Sequence, residues 1–251
     1  MPADAVNSTS FSPLGNIREA SNLTELQLLY WVGHQLRPSA AHFNNAFAFT
    51  FTTPLDPHLF QQAFAIAVVE HDVLRTIFHE QDGIPQQQVL DQPPSALEIV
   101  DLSTEPDPAE AARTWQQARV QRPFQLSHCL YDAALLKLSE THTIWFFNQH
   151  HLITDASSFF LIAETVLSHY DALRHGEELP LGQKPSFVQY AASLKRPPGS
   201  SRAAKSQAFW QEKVTHRPEQ LLFYGRFPQK LSNHVQRRIH KLTPDQTAHL
   251  I

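Results

Sequence analysis

The side chains best placed to do chemistry lie in Phe147-Asn148-Gln149-His150-His151-Leu152-Ile153-Thr154-Asp155-Ala156-Ser157-Ser158: two adjacent histidines, then an aspartate four residues after the second. A histidine near neutral pKa, held at a cleft, can accept a proton from an attacking amine or hydroxyl. It can equally orient that nucleophile and stabilise charge in a tetrahedral intermediate. Neighbouring side chains on a strand point to opposite faces, so His150 and His151 are not expected to serve one centre. One should face the core and the other a cleft. Asp155 can cap a helix that begins at Ala156, or pair with an arginine to fix the loop. A serine triad is not indicated, because no Gly-x-Ser-x-Gly elbow is present. Divergent histidines without HExxH or CxxC partners argue against a metal centre. No glycine-rich phosphate loop appears among only 7 glycines. The bland alternative is that both histidines are satisfied core residues and Asp155 is only a cap; with 15 histidines in the chain, chance adjacency is real.

The elements that must hold this stretch can be read from periodicity. The apolar run Thr143 to Phe147 predicts a buried strand, which delivers the histidines to a loop. Beyond Asp155 the apolar spacing becomes helical at Phe159, Phe160, Ile162, Ala163, Val166, Leu167 and Tyr170. This predicts a helix from Ala156 to Arg174 with Gly176 as its C-cap. Upstream, Asn22 or Thr24 caps a helix with apolar residues at Leu26, Leu29, Tyr30 and Val32 or Leu36. Phe43, Phe47, Phe49 and Phe51 fall at period two, the aromatic face of a strand. Asp56 and Pro57 open a helix that ends near His71. Leu74 to His79 and Gln86 to Leu90 read as a hairpin around Gln81-Asp82-Gly83. Leu97 to Asp101 is a further short strand. A helix follows Asp107-Pro108 as far as Val120. Tyr131 to Leu138 and His142 to Gln149 are two strands joined by a tight turn. Phe187 to Leu194 and Arg202 to Val214 are helices, Val235 to Leu242 a strand, and Thr243-Pro244 starts a last helix. Trp31, Phe187 and Trp210 are expected in core packing. Alternating helices and strands imply an α/β (α+β) two-layer sandwich.

The chain has 251 residues, 42 % of them hydrophobic, with a net charge of −4 and charges of both signs interspersed. No basic block points to nucleic acid. No apolar run approaches the roughly 20 residues of a membrane span. Cys129 is the only cysteine, so no internal disulfide forms and a reducing, cytoplasmic setting is expected. Cys129 itself reads as a small buried residue. Residues 1–20 are polar and read as a flexible leader without a signal sequence. The chain ends at Ile251 inside its last helix, as expected of a lobe whose second half lies further along.

The histidine segment resembles the HHxxxDG motif of nonribosomal peptide synthetase condensation domains. Thr24, Gln27 and Trp31 are similar to that family's first motif, S-x-A-Q-x-R-L-W. His71, Leu74, Arg75, Thr76 and Phe78 are similar to the second, R-H-E-x-L-R-T-x-F. Pro123-Phe124-Gln125-Leu126 resembles the family's Pro-Phe-Asp-Leu, Ser186 to Ala191 its fourth motif, and Phe209-Trp210 the Phe-Trp beyond it. Order and spacing agree over residues 22–251.

The resemblance implies a chloramphenicol acetyltransferase-like fold: two similar lobes forming a V, with a tunnel between them and carrier proteins docking at its ends. Residues 21–242 would then be the N-terminal lobe, and 243–251 the start of a truncated C-terminal lobe. The fragment alone is expected to be inactive. The resemblance also implies that His151 is catalytic and His150 structural, and that Asp155 pairs with an arginine, for which Arg75 is the candidate. Such a charge would lower the Asp155 pKa and lock the loop. The implied reaction is attack of an acceptor amine on an acyl thioester. No cofactor is held by this chain; the 4'-phosphopantetheine arms belong to the carrier proteins. Ala156 replaces the motif's final glycine, at a cost of about 1 kcal/mol if that backbone needs positive φ, and none if it is simply the first helical residue. Ester formation, an acyl-CoA donor at the start of a synthetase, epimerisation and a degenerate partner-recruiting domain are the alternatives.

Overall fold

The computed structural model describes residues 17, 20–179, 181, 184–195, 201–215 and 241–248. The chain falls into two compact units, Met1–Pro198 and Gly199–Ile251. The strand expected over Val235 to Leu242 lies almost entirely outside the described residues.

In the first unit, helix α1 (Glu25–Leu36) is followed by β1 (Asn44–Phe51), α2 (Pro57–Glu70), a 3-10 turn (Asp72–Arg75) and the hairpin β2 (Thr76–Gln81) and β3 (Ile84–Val89). Then come β4 (Glu98–Asp101), α3 (Pro108–Val120), β5 (Tyr131–Ser139), β6 (His142–His150), α4 (Ala156–His175) and α5 (Phe187–Leu194). Helices α6 (Ser201–Thr215) and α7 (Pro244–Ala248) belong to the second unit.

The helix starts are set by caps that supply acceptors for free N–H groups. Thr24 and Gln27 form a reciprocal capping box on α1. Asp56 and Asp107 cap α2 and α3, each with proline just inside. Helix α4 stops at Gly176, whose φ of 66° is the left-handed conformation glycine adopts freely. The β2–β3 turn places Asp82 and Gly83 at φ 53° and 77°, the mirror-image turn that matches strand twist.

The main sheet has the order β1-β6-β5-β4. Strands β1, β6 and β5 are antiparallel neighbours, while β4 and β5 are parallel and joined across α3. Alternation along β5 and β6 gives each face its own core. Ala133, Leu135, Trp145 and Phe147 join Phe60, Phe64 and Phe159 of α2 and α4. Ala134, Leu136 and Ile144 meet Ala112 and Trp115 of α3 on the other face. The sandwich thus gains a partial third layer. Trp145 stacks on Phe147 at 5.7 Å, and Phe64 meets Phe147 edge-on at 5.5 Å. Each such side chain contributes roughly 1.5–3 kcal/mol on burial. This aromatic cluster is the rigid floor on which the end of β6 rests.

Three expectations change. Leu74 and Arg75 lie in the 3-10 turn and not in a strand, because β2 begins only at Thr76. Leu26, Leu29, Val32 and Leu36 of α1 are exposed; the helix buries Gln27, Leu28 and His34 instead. Trp210 is 62 % exposed in the second unit. Trp31, by contrast, packs against the main core. No helix among the described residues is long and apolar enough to cross a membrane.

Candidate active site at the end of the sixth strand

Strand β6 ends at His150, and the chain turns at His151 before α4 begins. Backbone bonds hold this corner from both sides. The His150 N–H donates to the Leu130 carbonyl at 2.9 Å, and the His151 N–H to that of Phe43 at 2.8 Å. The Ile153 N–H donates back to the His150 carbonyl at 3.0 Å.

His150 is sealed, at 1 % exposure. Its ring lies 5.2 Å from that of His34, 5.7 Å from Phe43 and 6.2 Å from Phe124. The Leu152 N–H donates to His150 Nδ1 at 3.1 Å, so the neutral ring carries its proton on Nε2. Nε2 is buried without a hydrogen-bond partner among the described residues. Burial first, then the neighbouring His34 and His151, lowers the His150 pKa to about 3. With one nitrogen occupied and the other walled in, His150 is unsuited to exchange protons with a substrate.

His151 is only half-buried. It lies in an open pocket of about 120 Å³ whose walls include Thr24, Gln27, Tyr30, Thr154, Ser158 and Phe187. Its ring stacks on Tyr30 at 5.1 Å and 12° between planes. Gln27 secures the loop beneath: its Nε2 donates to the Leu152 carbonyl and to Gln87 Oε1, both at 3.1 Å. Gln87 is in turn tied to Asn22, whose Nδ2 donates to the Gln87 carbonyl at 2.8 Å. Polar Gln27 is therefore buried on α1 because it anchors this loop, and the exposed leucine stripe follows from that orientation.

Asp155 caps α4. Its Oδ1 accepts from the Ser158 N–H at 2.8 Å and from the Ser158 hydroxyl at 2.7 Å. These bonds hold its carboxyl below the usual carboxylate range. The expected Arg75–Asp155 pair is not formed. Arg75 closes the 3-10 turn, donating to the Leu90 carbonyl and to that of Val69 at 3.2 Å. Two of its nitrogens thus tie the residue after β3 to α2. Ala156 is the first residue of α4 and is not among the positive-φ positions, so its methyl fits a helix start without strain. Phe187 lines the pocket and is not buried core. Its N–H and the Ser186 hydroxyl donate to Asp72, which brings α5 to the pocket's edge.

Cys129 takes no part. Burial pushes its thiol up to about 11, and it donates to the Tyr131 carbonyl at 3.2 Å. The residues that sequence reasoning passed over are Tyr30 and Phe43. Both read as apolar filling, and only the fold shows Tyr30 stacked on an imidazole.

Comparison with known proteins bears on this geometry. The family model described as Condensation domain matches residues 17–250. A dimodular nonribosomal peptide synthase of Bacillus subtilis (strain 168) is 30 % identical over 227 residues, covering 89 % of this chain and 9 % of the relative. An isonitrile lipopeptide synthase of Streptomyces coeruleorubidus is 27 % identical, covering 86 % of this chain and 14 % of the relative. The chain therefore spans a small fraction of the curated relatives. Among solved structures, the starter condensation domain of rhizomide synthetase RzmA aligns with a TM-score of 0.70 at 28 % identity. It covers 76 % of this chain and 47 % of that one. The first condensation domain of the CDA synthetase aligns at 0.70 and 26 % identity, covering 78 % and 51 %. The match runs along nearly the whole sequence and places the histidine corner within it, so this chain belongs to the condensation-domain family of nonribosomal peptide synthetases.

Proposed function

We propose that this chain is the N-terminal lobe of a condensation domain that moves an acyl group from a carrier-protein thioester to an acceptor amine, with His151 handling the proton. A second lobe completes the tunnel, consistent with coverage of about half of the solved domains. The amine nitrogen attacks the thioester carbonyl carbon and a C–N bond forms. The tetrahedral carbon then expels sulfur and the C–S bond breaks. The proton leaving nitrogen passes to the His151 imidazole and from there to the departing thiolate, so the histidine is regenerated. The observation that carries this reading is the asymmetry of the pair: His151 lines an open pocket while His150 is walled in. Asp155 and His150 shape the loop, and Arg75 braces the neighbouring hairpin. The carrier proteins' 4'-phosphopantetheine thiols present the donor and acceptor. The lone half-buried cysteine fits a cytoplasmic setting.

A second donor class has specific support, because a RzmA starter-domain variant solved in complex with C8-CoA aligns at a TM-score of 0.73 and 28 % identity. An acyl-CoA thioester reacts by the same bond changes. The test uses the complete polypeptide that carries this chain. One arm supplies an acyl group on a carrier protein, the other the same acyl group on coenzyme A, each with an aminoacyl acceptor. Mass spectrometry is expected to show one amide and one free thiol per turnover in at least one arm. No transfer in either arm would overturn the proposal.

A further inference from the structure

We infer that Tyr30 is a positioning residue for His151. It acts through its ring, and the chain Gly33, Phe43, Tyr30 sets the direction in which the imidazole faces the pocket. The inference rests on the reading of His151 as the group that carries the proton.

The stack is parallel, with ring centroids 5.1 Å apart and planes within 12°. Those values lie within the range of favourable ring contacts. A half-buried imidazole on a turn has more than one staggered rotamer open to it, and a flat surface against the ring selects among them. Tyr30 is that surface. No hydrogen bond from the His151 ring to another described residue competes to orient it.

Tyr30 is itself held. Its ring meets Phe43 edge-on at 5.4 Å and 72°. Phe43 also supplies the carbonyl that accepts the His151 N–H. One residue therefore fixes the backbone of His151 directly and its ring indirectly. Phe43 needs room over α1, and Gly33 provides it: a Cβ at position 33 would lie 2.7 Å from Phe43 Cζ. A methyl here would push on the tip of the Phe43 ring, so the constraint on position 33 is contact and not backbone conformation.

The pattern S-x-A-Q-x-R-L-W, which the first segment resembles, has leucine where this chain has Tyr30. A leucine cannot present a flat face to an imidazole. The stack is therefore not implied by the matching motif residues Thr24, Gln27 and Trp31.

The test compares Tyr30→Phe with Tyr30→Leu in the complete polypeptide. Phenylalanine keeps the flat face; leucine removes it. For Tyr30→Leu we expect kcat to fall roughly tenfold or more, as misplacement of a reacting group does, with KM within about twofold of wild type. Tyr30→Phe is expected to retain kcat. The second readout needs no turnover: the rate at which diethyl pyrocarbonate modifies His151, followed by peptide mass spectrometry. That rate should rise several-fold in Tyr30→Leu and stay near wild type in Tyr30→Phe. Melting curves check that the fold is kept, and Tyr30→Met repeats the comparison if the leucine variant does not fold. Unchanged kcat and unchanged modification in the leucine variant overturn the inference, as does an equal loss in Tyr30→Phe, which would assign the effect to the hydroxyl. The modification rate reads the cover on the His151 ring without turnover, whereas a fully active His151→Ala enzyme would instead sink the proton-transfer assignment.

Discussion

On one side of the end of β6, His150 is enclosed by His34, Phe43 and Phe124. On the other, one peptide later, His151 lies against Tyr30 in an open pocket. The two side chains are chemically identical and adjacent. What separates them is desolvation and the use of their nitrogens. Enclosure lowers the His150 pKa to about 3 and engages its Nδ1 with a backbone N–H. Strand β6 ends at His150 and the turn that follows carries His151, and the packing around each ring then decides which one can exchange a proton.

The strongest way to break this comparison is to remove the enclosed ring. His150→Ala leaves a cavity among aromatic rings and strips the Leu152 N–H of its acceptor. It should cost about 2–5 kcal/mol of stability in urea unfolding. Unchanged stability together with lost turnover would reverse the two roles.

Acid should next probe the same enclosure. In the unfolded chain His150 titrates near its ordinary 6.5, while in the fold it does so at about 3. Between these values the unfolded state binds the extra proton, so stability falls as pH drops from about 6.5 towards about 3 and is fully present above 6.5. His34 and His71 are also lowered by burial and add to the same trend. A His150→Gln variant should show a shallower decline in melting temperature across that window, and an identical slope would contradict the assignment.

Gly33→Ala pushes on Phe43, which touches both sides. Overpacking of this kind costs roughly 1–3 kcal/mol, and the variant should also lose turnover by displacing Tyr30. The smallest effects belong to the start of α4. Asp155→Ala removes a side-chain cap, at about 1 kcal/mol by thermal melting. Restoring the family's glycine in Ala156→Gly should lower stability by roughly 0.5–1 kcal/mol, since helix and not left-handed backbone occupies this position.

Much of this arrangement was legible in the residues. The strand, corner, cap and C-cap glycine from Thr143 to Gly176 are local signals, and each is satisfied within a few residues of itself. The hairpin around Asp82-Gly83 is of the same kind. The α1 stripe was misleading for a physical reason. Periodicity marks an apolar face at Leu26, Leu29, Val32 and Leu36, but it does not say which face is covered. Gln27 decides the matter through bonds to residues 60 and 125 positions away. Arg75 failed similarly: the resemblance to the family's second motif implied a pair with Asp155, whereas its guanidinium donates to the carbonyls of Val69 and Leu90. The Tyr30–His151 stack joins residues far apart in sequence, and no local pattern signals it.

The most direct measurement of the central claim is single-turnover transfer by His151→Ala in the complete polypeptide, with its melting temperature recorded alongside. The account predicts a fall of about 100-fold or more in rate, the usual scale for loss of a proton-transfer group, at an unchanged melting temperature. Transfer at the wild-type rate would contradict it.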